Sequence, residues 1–132
     1  MNPAEAYERY NVQTVFVPWT AELLERAQPR QGERVLDLAC GTGIVARNVA
    51  PRVGTAGKVV GLDISPEMLA VARPLAETAG APVEWHEGSG TELPFDDGSF
   101  DLVLCQQGLE FFSDQATGLR EARRVLARDG RG

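Results

Sequence analysis

Arg34-Val-Leu-Asp-Leu runs without interruption into Ala39-Cys-Gly-Thr-Gly, and the helical stretch Ile44-Val-Ala-Arg-Asn-Val-Ala follows at once. A short apolar run, a glycine turn and a helix start, in that order, form the unit from which parallel sheets are built. The unit recurs. Lys58-Val-Val-Gly-Leu is a second apolar run, ended by Asp63. Ser65-Pro-Glu then opens a helix with a hydroxyl cap, a first-turn proline and an acid at the positive end of the helix dipole. That helix places Met68, Leu69, Ala72, Leu75 and Ala79 at helical spacing and reaches a stop at Gly80. Val83-Glu-Trp reads as a third, shorter strand and Phe100-Asp-Leu-Val-Leu-Cys as a fourth. A helix from about Ser113 to Ala127 follows, with Leu119, Ala122, Val125 and Leu126 on one face. Pro51 is expected to stop the first of these helices and Pro74 to kink the second or end its regular part early.

The strands are apolar throughout rather than alternating, as expected where right-handed crossovers cover both faces of a parallel sheet. The fold class expected is α/β, a Rossmann-like doubly wound parallel sheet. With 132 residues the chain makes one such domain, since domains typically run ~100–200 residues. Residues 1–30, helical over Thr20 to Gln28, read as an N-terminal segment ahead of a domain over 31–132.

Charge narrows the partners. Thirteen basic against nineteen acidic residues give a net charge of −6, and no basic stripe is present, which argues against nucleic acid. No apolar run approaches the ~18–20 residues that span a bilayer. The start, MNPAEAYERY, lacks the basic and apolar regions of a secretory signal. Cys40 and Cys105 each end an apolar run, which reads as buried thiols in a reducing compartment. A cytoplasmic location is expected. His86, the single histidine, has no second ligand at metal spacing, so no metal is expected. Arg120, Arg123 and Arg124 read as the wet side of a helix.

The glycine loop carries the chemistry. Glycines at a strand-to-helix turn let the backbone approach a ligand, and the helix N-terminus offers free N–H groups. Gly41-Thr-Gly-Ile-Val-Ala satisfies a G-x-G-x-x-A fingerprint, and Asp63 stands twenty residues beyond Gly43, where an acid meets ribose hydroxyls. The pair points to a nucleoside ligand. Asp37, beside the loop, would repel a pyrophosphate but suits the ammonium and sulfonium of S-adenosylmethionine. Alternatively, Asp37 only accepts backbone N–H bonds and caps the loop.

Three segments then align with a known family. Val35-Leu-Asp-Leu-Ala-Cys-Gly-Thr-Gly, Val60-Gly-Leu-Asp-Ile-Ser-Pro-Glu-Met-Leu and Leu93-Pro-Phe-Asp-Asp-Gly-Ser-Phe-Asp-Leu-Val resemble the class I S-adenosylmethionine-dependent methyltransferases. The resemblance is to the ubiquinone/menaquinone biosynthesis C-methyltransferase branch, and it covers residues 5–132. It implies S-adenosylmethionine as cofactor and methyl transfer to a small-molecule acceptor by in-line displacement. By that resemblance Asp37, Ala39, Cys40, Gly41, Thr42 and Gly43 hold the methionine part of the cofactor. Asp63 takes the ribose hydroxyls, and Ile64 and Met68 flank the adenine. Gly88-Ser89-Gly90 stands where the family often has Gly-Asp-Ala, so Ser89 accepts from the adenine amino group without charge assistance. Gln106 lines the cofactor side. Gln107 and Glu110 face the substrate, and Tyr7 and Tyr10 resemble residues of a closing N-terminal lid. The motifs identify no general base.

Family members have a sheet of order 3-2-1-4-5-7-6. Here the motifs account for strands 3-2-1-4, with strands 5–7 missing, as in a C-terminally truncated domain. Strand four then becomes an edge through which the chain is expected to self-associate. Two other readings remain: a catalytically inactive cofactor-binding fragment, and an NAD(P)-binding oxidoreductase using the G-x-G-x-x-A loop.

Overall fold

The computed structural model describes residues 3–6, 24–38, 40–78, 82–105 and 115–131. Each apolar run becomes a strand: β1 (Arg34–Leu38), β2 (Lys58–Asp63), β3 (Glu84–Glu87) and β4 (Phe100–Leu104). The helices are α1 (Pro3–Ala6), a turn over residues 24–27 (α2), α3 (Ile44–Val53), α4 (Pro66–Thr78) and α5 (Gln115–Val125). A further strand, β5 (Leu126–Arg131), completes a parallel sheet of order β3-β2-β1-β4-β5.

The apolar character of both strand faces follows from this architecture. Val35, Val59, Leu102 and Leu104 point to one side and pack with Val45, Ala46, Val49, Ala50 and Val53 of α3. Leu36, Leu38, Val60, Leu62 and Val103 point to the other and pack with Leu93 and with Val125 of α5. The chain steps from β1 to β2 to β3 in one direction, so right-handed crossovers put α3 and α4 on a common face. It then reverses to β4, which puts α5 on the opposite face. Leu24 joins the core on the α3 side, and Ala4 in α1 is buried where α1 meets α4.

Four expectations are corrected. The four-stranded 3-2-1-4 sheet gains β5, whose pairing with β4 is irregular: Phe100 lies opposite Leu126, and Leu102 opposite Arg131. Leu-Ala-Arg-Asp-Gly-Arg has two apolar residues in six, so no apolar run announces this strand. β4 is therefore interior, and the strand-four edge expected to mediate self-association is already paired. Pro51 does not end α3, which continues to Val53; of the two outcomes expected at Pro74, the early end is not found, since α4 continues to Thr78. Proline deletes one helical hydrogen bond, and the buried Val49, Val53, Leu69, Ala72 and Ala76 hold the flanking turns against the sheet. Leu119 is not on the buried face of α5 but 51% exposed, and Leu126 has left the helix for β5.

Among the described residues, no helix is long and apolar enough to cross a membrane.

Candidate functional site

β1 is flanked by β2 and β4; the chain winds outward from β1 through β2 to β3, then crosses back to β4 on the other side of β1. At such a switch point the loops at the carboxyl ends of the strands part and leave a crevice. The loops after β1, β2 and β3 all meet there, and Asp63 ties them together. Its Oδ2 accepts the N–H of Gly41 at 2.8 Å and its Oδ1 accepts the N–H of Ser65 at 2.9 Å. Its backbone carbonyl accepts the N–H of Gly88 at 3.0 Å. One buried aspartate thus holds the glycine loop, the β2–α4 turn and the loop leaving β3. Each carboxylate oxygen keeps a lone pair for a further donor.

The glycine loop is pinned from several sides. Cys40 donates its backbone N–H to the carbonyl of Leu62 at 2.9 Å, extending the β1–β2 pairing by two residues. Gly43, at φ 86°, is the N-cap of α3 in the left-handed conformation that favours glycine. Trp85, on β3, lies across this loop. A Cβ on Gly43 would sit 2.6 Å from Cη2 of the indole, and one on Gly61 would sit 2.6 Å from its Cζ3. Both glycines are therefore also clearances for a ring that packs against the α3-side core. The sequence reading assigned Trp85 no role; the two glycines at matching depth in neighbouring elements were the available signal.

Asp37 is fully buried near the end of β1, and its Oδ2 accepts the N–H of Ala46 in the first turn of α3 at 3.2 Å. It thus makes the capping bond foreseen as the alternative to a purely electrostatic role. Desolvation, reinforced by the charge of Asp63, pushes its carboxyl up to about 8 despite that bond. Burial raises the Cys40 thiol far above its ordinary range, with Asp37 and Asp63 adding to the effect, so Cys40 is a neutral packing group. The Thr42 hydroxyl is buried and makes no hydrogen bond.

Ile64 follows Asp63 and is 72% exposed, a large apolar side chain held in the open beside the crevice. Ser65 caps α4: its Oγ accepts the N–H of Met68 at 3.3 Å and donates to Glu67 at 3.1 Å. Ser89 Oγ accepts the N–H of Thr91 at 3.2 Å and pairs with Thr91 Oγ1 at 2.7 Å. Ser89 and Gly88 are half-buried and Gly90 is buried.

The structure therefore brings Asp37, Cys40, Gly41, Thr42, Gly43, Asp63, Ile64, Met68, Gly88, Ser89 and Gly90 to the carboxyl ends of three adjacent strands. Ala39, Tyr7, Tyr10, Gln106, Gln107 and Glu110 lie outside the described residues. His86, on the edge strand β3, pairs with Glu84 at 2.8 Å, and no three metal-ligating side chains cluster among the described residues. Arg124 departs from its expected wet position: it is half-buried and bonds the loop at residues 93–97.

A family profile described as a methyltransferase domain matches residues 35–130, a span that reaches from the second residue of β1 to the last but one of β5. The chain belongs to the methyltransferase-domain family. Demethylmenaquinone methyltransferase of Lactococcus lactis is 41% identical over 114 residues, covering 86% of this chain and 45% of the relative. The Thermus thermophilus protein of the same name is 42% identical over 113 residues, covering 86% of this chain and 51% of the relative. Among solved structures, a putative methyltransferase from Bacillus halodurans superposes with a TM-score of 0.78 at 38% identity, over 84% of this chain and 47% of that one. A SAM-dependent methyltransferase from Aquifex aeolicus gives 0.75 at 25% identity, over 82% and 58%. This methyltransferase domain spans about half the length of the curated relatives it matches.

Proposed function

We propose that this chain binds S-adenosylmethionine across the carboxyl ends of β1, β2 and β3 and takes part in methyl transfer to a small-molecule acceptor. The observation that carries the reading is the Asp63 hub. A single carboxylate organises three loops while keeping acceptor capacity toward a pair of vicinal hydroxyls.

The residues present fit the cofactor. Thr42 Oγ1 is a buried hydroxyl without a partner, directly in the glycine loop. Ile64 offers an exposed apolar surface next to Asp63, where a flat base can cover it. Asp37 is a buried carboxyl whose ionised form is disfavoured in this protein and would be restored by a nearby cation. When bound, S-adenosylmethionine supplies an electrophilic methyl group on a sulfonium sulfur.

The chain's own contribution is positioning. Asp63 holds the ribose, Gly88-Ser89-Gly90 lies beside the base, and the Ser89 hydroxyl serves as its polar partner. Asp37 and Thr42 face the methionine end through the glycine loop, whose approach is fixed by Trp85. Holding nucleophile, methyl and sulfur in line while excluding water supplies most of what such a displacement needs from a protein. An acceptor of the quinone class is the first candidate, because relatives at 41–42% identity are named demethylmenaquinone methyltransferases.

The test is turnover. The chain is incubated with methyl-labelled cofactor and a demethylated naphthoquinone, and label in the quinone and S-adenosylhomocysteine are measured together. Label transfer that disappears in Asp63→Ala supports the reading. Cofactor binding without transfer to any acceptor would favour a binding fragment, and tighter binding of NAD would favour an oxidoreductase.

A further inference from the structure

The segment from Gly88 to Ser99 crosses from β3 to β4 and carries the base side of the proposed site at its start. Its far half is held not by a strand but by two side chains of α5. Glu121 Oε1 accepts the N–H of Leu93 at 2.8 Å, and Arg124 Nη2 donates to the carbonyl of the same residue at 3.0 Å. Both backbone groups of Leu93 are thereby satisfied from one helix, as a neighbouring strand would do. Arg124 Nη1 donates to the carbonyl of Phe95 and to Asp97 Oδ1, both at 2.8 Å. Its Nε and Nη2 donate to Glu121 at 2.7 and 3.2 Å. All five N–H groups of the guanidinium are used, and the Arg124 carbonyl accepts the N–H of Gly98 at 2.9 Å.

The clamp continues into the sheet. Leu93 is buried with Leu62, Val103 and Val125, and the Phe95 ring meets His86 on β3 and Phe100 on β4 edge-on at 5.3 and 5.1 Å. The near end of the segment is tied to the Asp63 carbonyl through Gly88. Between these anchors lie Ser89, Gly90 and Thr91, with Ser89 and Thr91 bonded to each other and the carbonyl of Ser89 taking the N–H of Glu92. A segment fixed at both ends presents Ser89 at a fixed height over the crevice; without the Glu121 and Arg124 side-chain bonds its far half keeps only the packing of Leu93 and Phe95 and the Gly98 bond, which fix its position less tightly.

We propose that Glu121 and Arg124 are positioning residues for nucleoside recognition: through Leu93 and Phe95 they set the placement of Ser89 beside Asp63. The inference rests on the cofactor reading above. The pair is half-buried, and what distinguishes it is the geometry that a planar, five-donor group alone supplies. Lysine at 124 keeps the charge but, as a point donor, does not span Leu93, Phe95 and Glu121 together.

The test compares adenosine, which probes only the base and ribose, with S-adenosylhomocysteine. Dissociation constants are measured by calorimetry for the parent, Arg124→Lys and Glu121→Gln, together with amide exchange at Leu93 and melting temperature. Arg124→Lys should accelerate exchange at Leu93 and weaken both ligands equally, by up to about tenfold, the loss of one ordinary hydrogen bond to the base. Glu121→Gln should lose less, because its amide oxygen still accepts the Leu93 N–H. Should Arg124→Lys fail to fold, Glu121→Gln carries the test, with a smaller loss for both ligands expected. Faster exchange with unchanged adenosine affinity, well below the melting temperature, would show a merely structural clamp and overturn the proposal. A parent chain that binds neither ligand would instead overturn the cofactor reading on which it stands.

Discussion

Gly61 is where the packing argument can be tested most sharply. It lies in the middle of β2, and alanine there would place Cβ 2.6 Å from Cζ3 and 2.7 Å from Cε3 of Trp85, and 3.2 Å from the Cys40 sulfur. The first two contacts are far inside van der Waals range, and the same indole also lies against Gly43 and packs on the α3-side core, so it can give way only by moving out of that packing. Overpacking of this kind costs ~1–3 kcal/mol. Alanine in a strand recovers ~0.5–1 kcal/mol relative to glycine. Gly61→Ala should therefore destabilise the chain by about 1 kcal/mol net, within bounds of about 0–2.5 kcal/mol. Urea unfolding followed by far-ultraviolet circular dichroism measures this as a lower midpoint at unchanged slope. In Gly61→Ala/Trp85→Leu the smaller side chain should absorb the Cβ, so the double variant should be more stable than the sum of its single effects. A Gly61→Ala chain more stable than the parent, or additive effects in the cycle, would refute the placement of Trp85 over Gly61.

Other predictions follow from the buried polar groups. Thr42→Val removes an unpartnered buried hydroxyl, so the free chain should gain about 1 kcal/mol while S-adenosylhomocysteine affinity falls; a destabilised Thr42→Val would mean the hydroxyl is already bonded. Asp37 has an ordinary value of 3.8 and is pushed up to about 8 by burial, so folding takes up a proton between those values. Stability should fall as pH rises from about 4 to about 8 and level off above, and Asp37→Asn should abolish that slope while keeping an acceptor for the Ala46 N–H. Binding a cation beside Asp37 expels the same proton, so S-adenosylhomocysteine affinity should rise with pH up to about 8, by as much as about tenfold per unit; a flat profile in the parent would remove Asp37 from the site.

Elements built from dense local signals were legible in the sequence. β1, β2 and β4 are continuous apolar runs, and Ser65-Pro-Glu marks the start of α4 so strongly that Ser65 is found capping Met68. Asp63 was found from its spacing to the glycine loop, but its tie to Gly88 was invisible, because it runs through a backbone carbonyl rather than a side chain. β5 went unseen because an edge strand buries little and needs no apolar run. Pro51 misled because tertiary burial on both sides of it outweighs one lost hydrogen bond. Arg124 misled in the opposite sense. A charged residue on a helix is usually solvated, and only the fold brings the carbonyls of Leu93 and Phe95 within its reach. The Glu121-x-x-Arg124 spacing, with both residues on one face of α5, was the sequence signal available.

The central claim is that Asp63 organises a nucleoside-cofactor site at the carboxyl ends of β1, β2 and β3. Calorimetric titration of the chain with S-adenosylhomocysteine, beside NAD and beside the folded Asp63→Ala variant, addresses it directly. Micromolar binding of S-adenosylhomocysteine, weaker or absent binding of NAD, and loss of the signal in Asp63→Ala are expected. Folded parent protein that takes up NAD in preference, or that binds S-adenosylhomocysteine equally well without the Asp63 carboxylate, would contradict it.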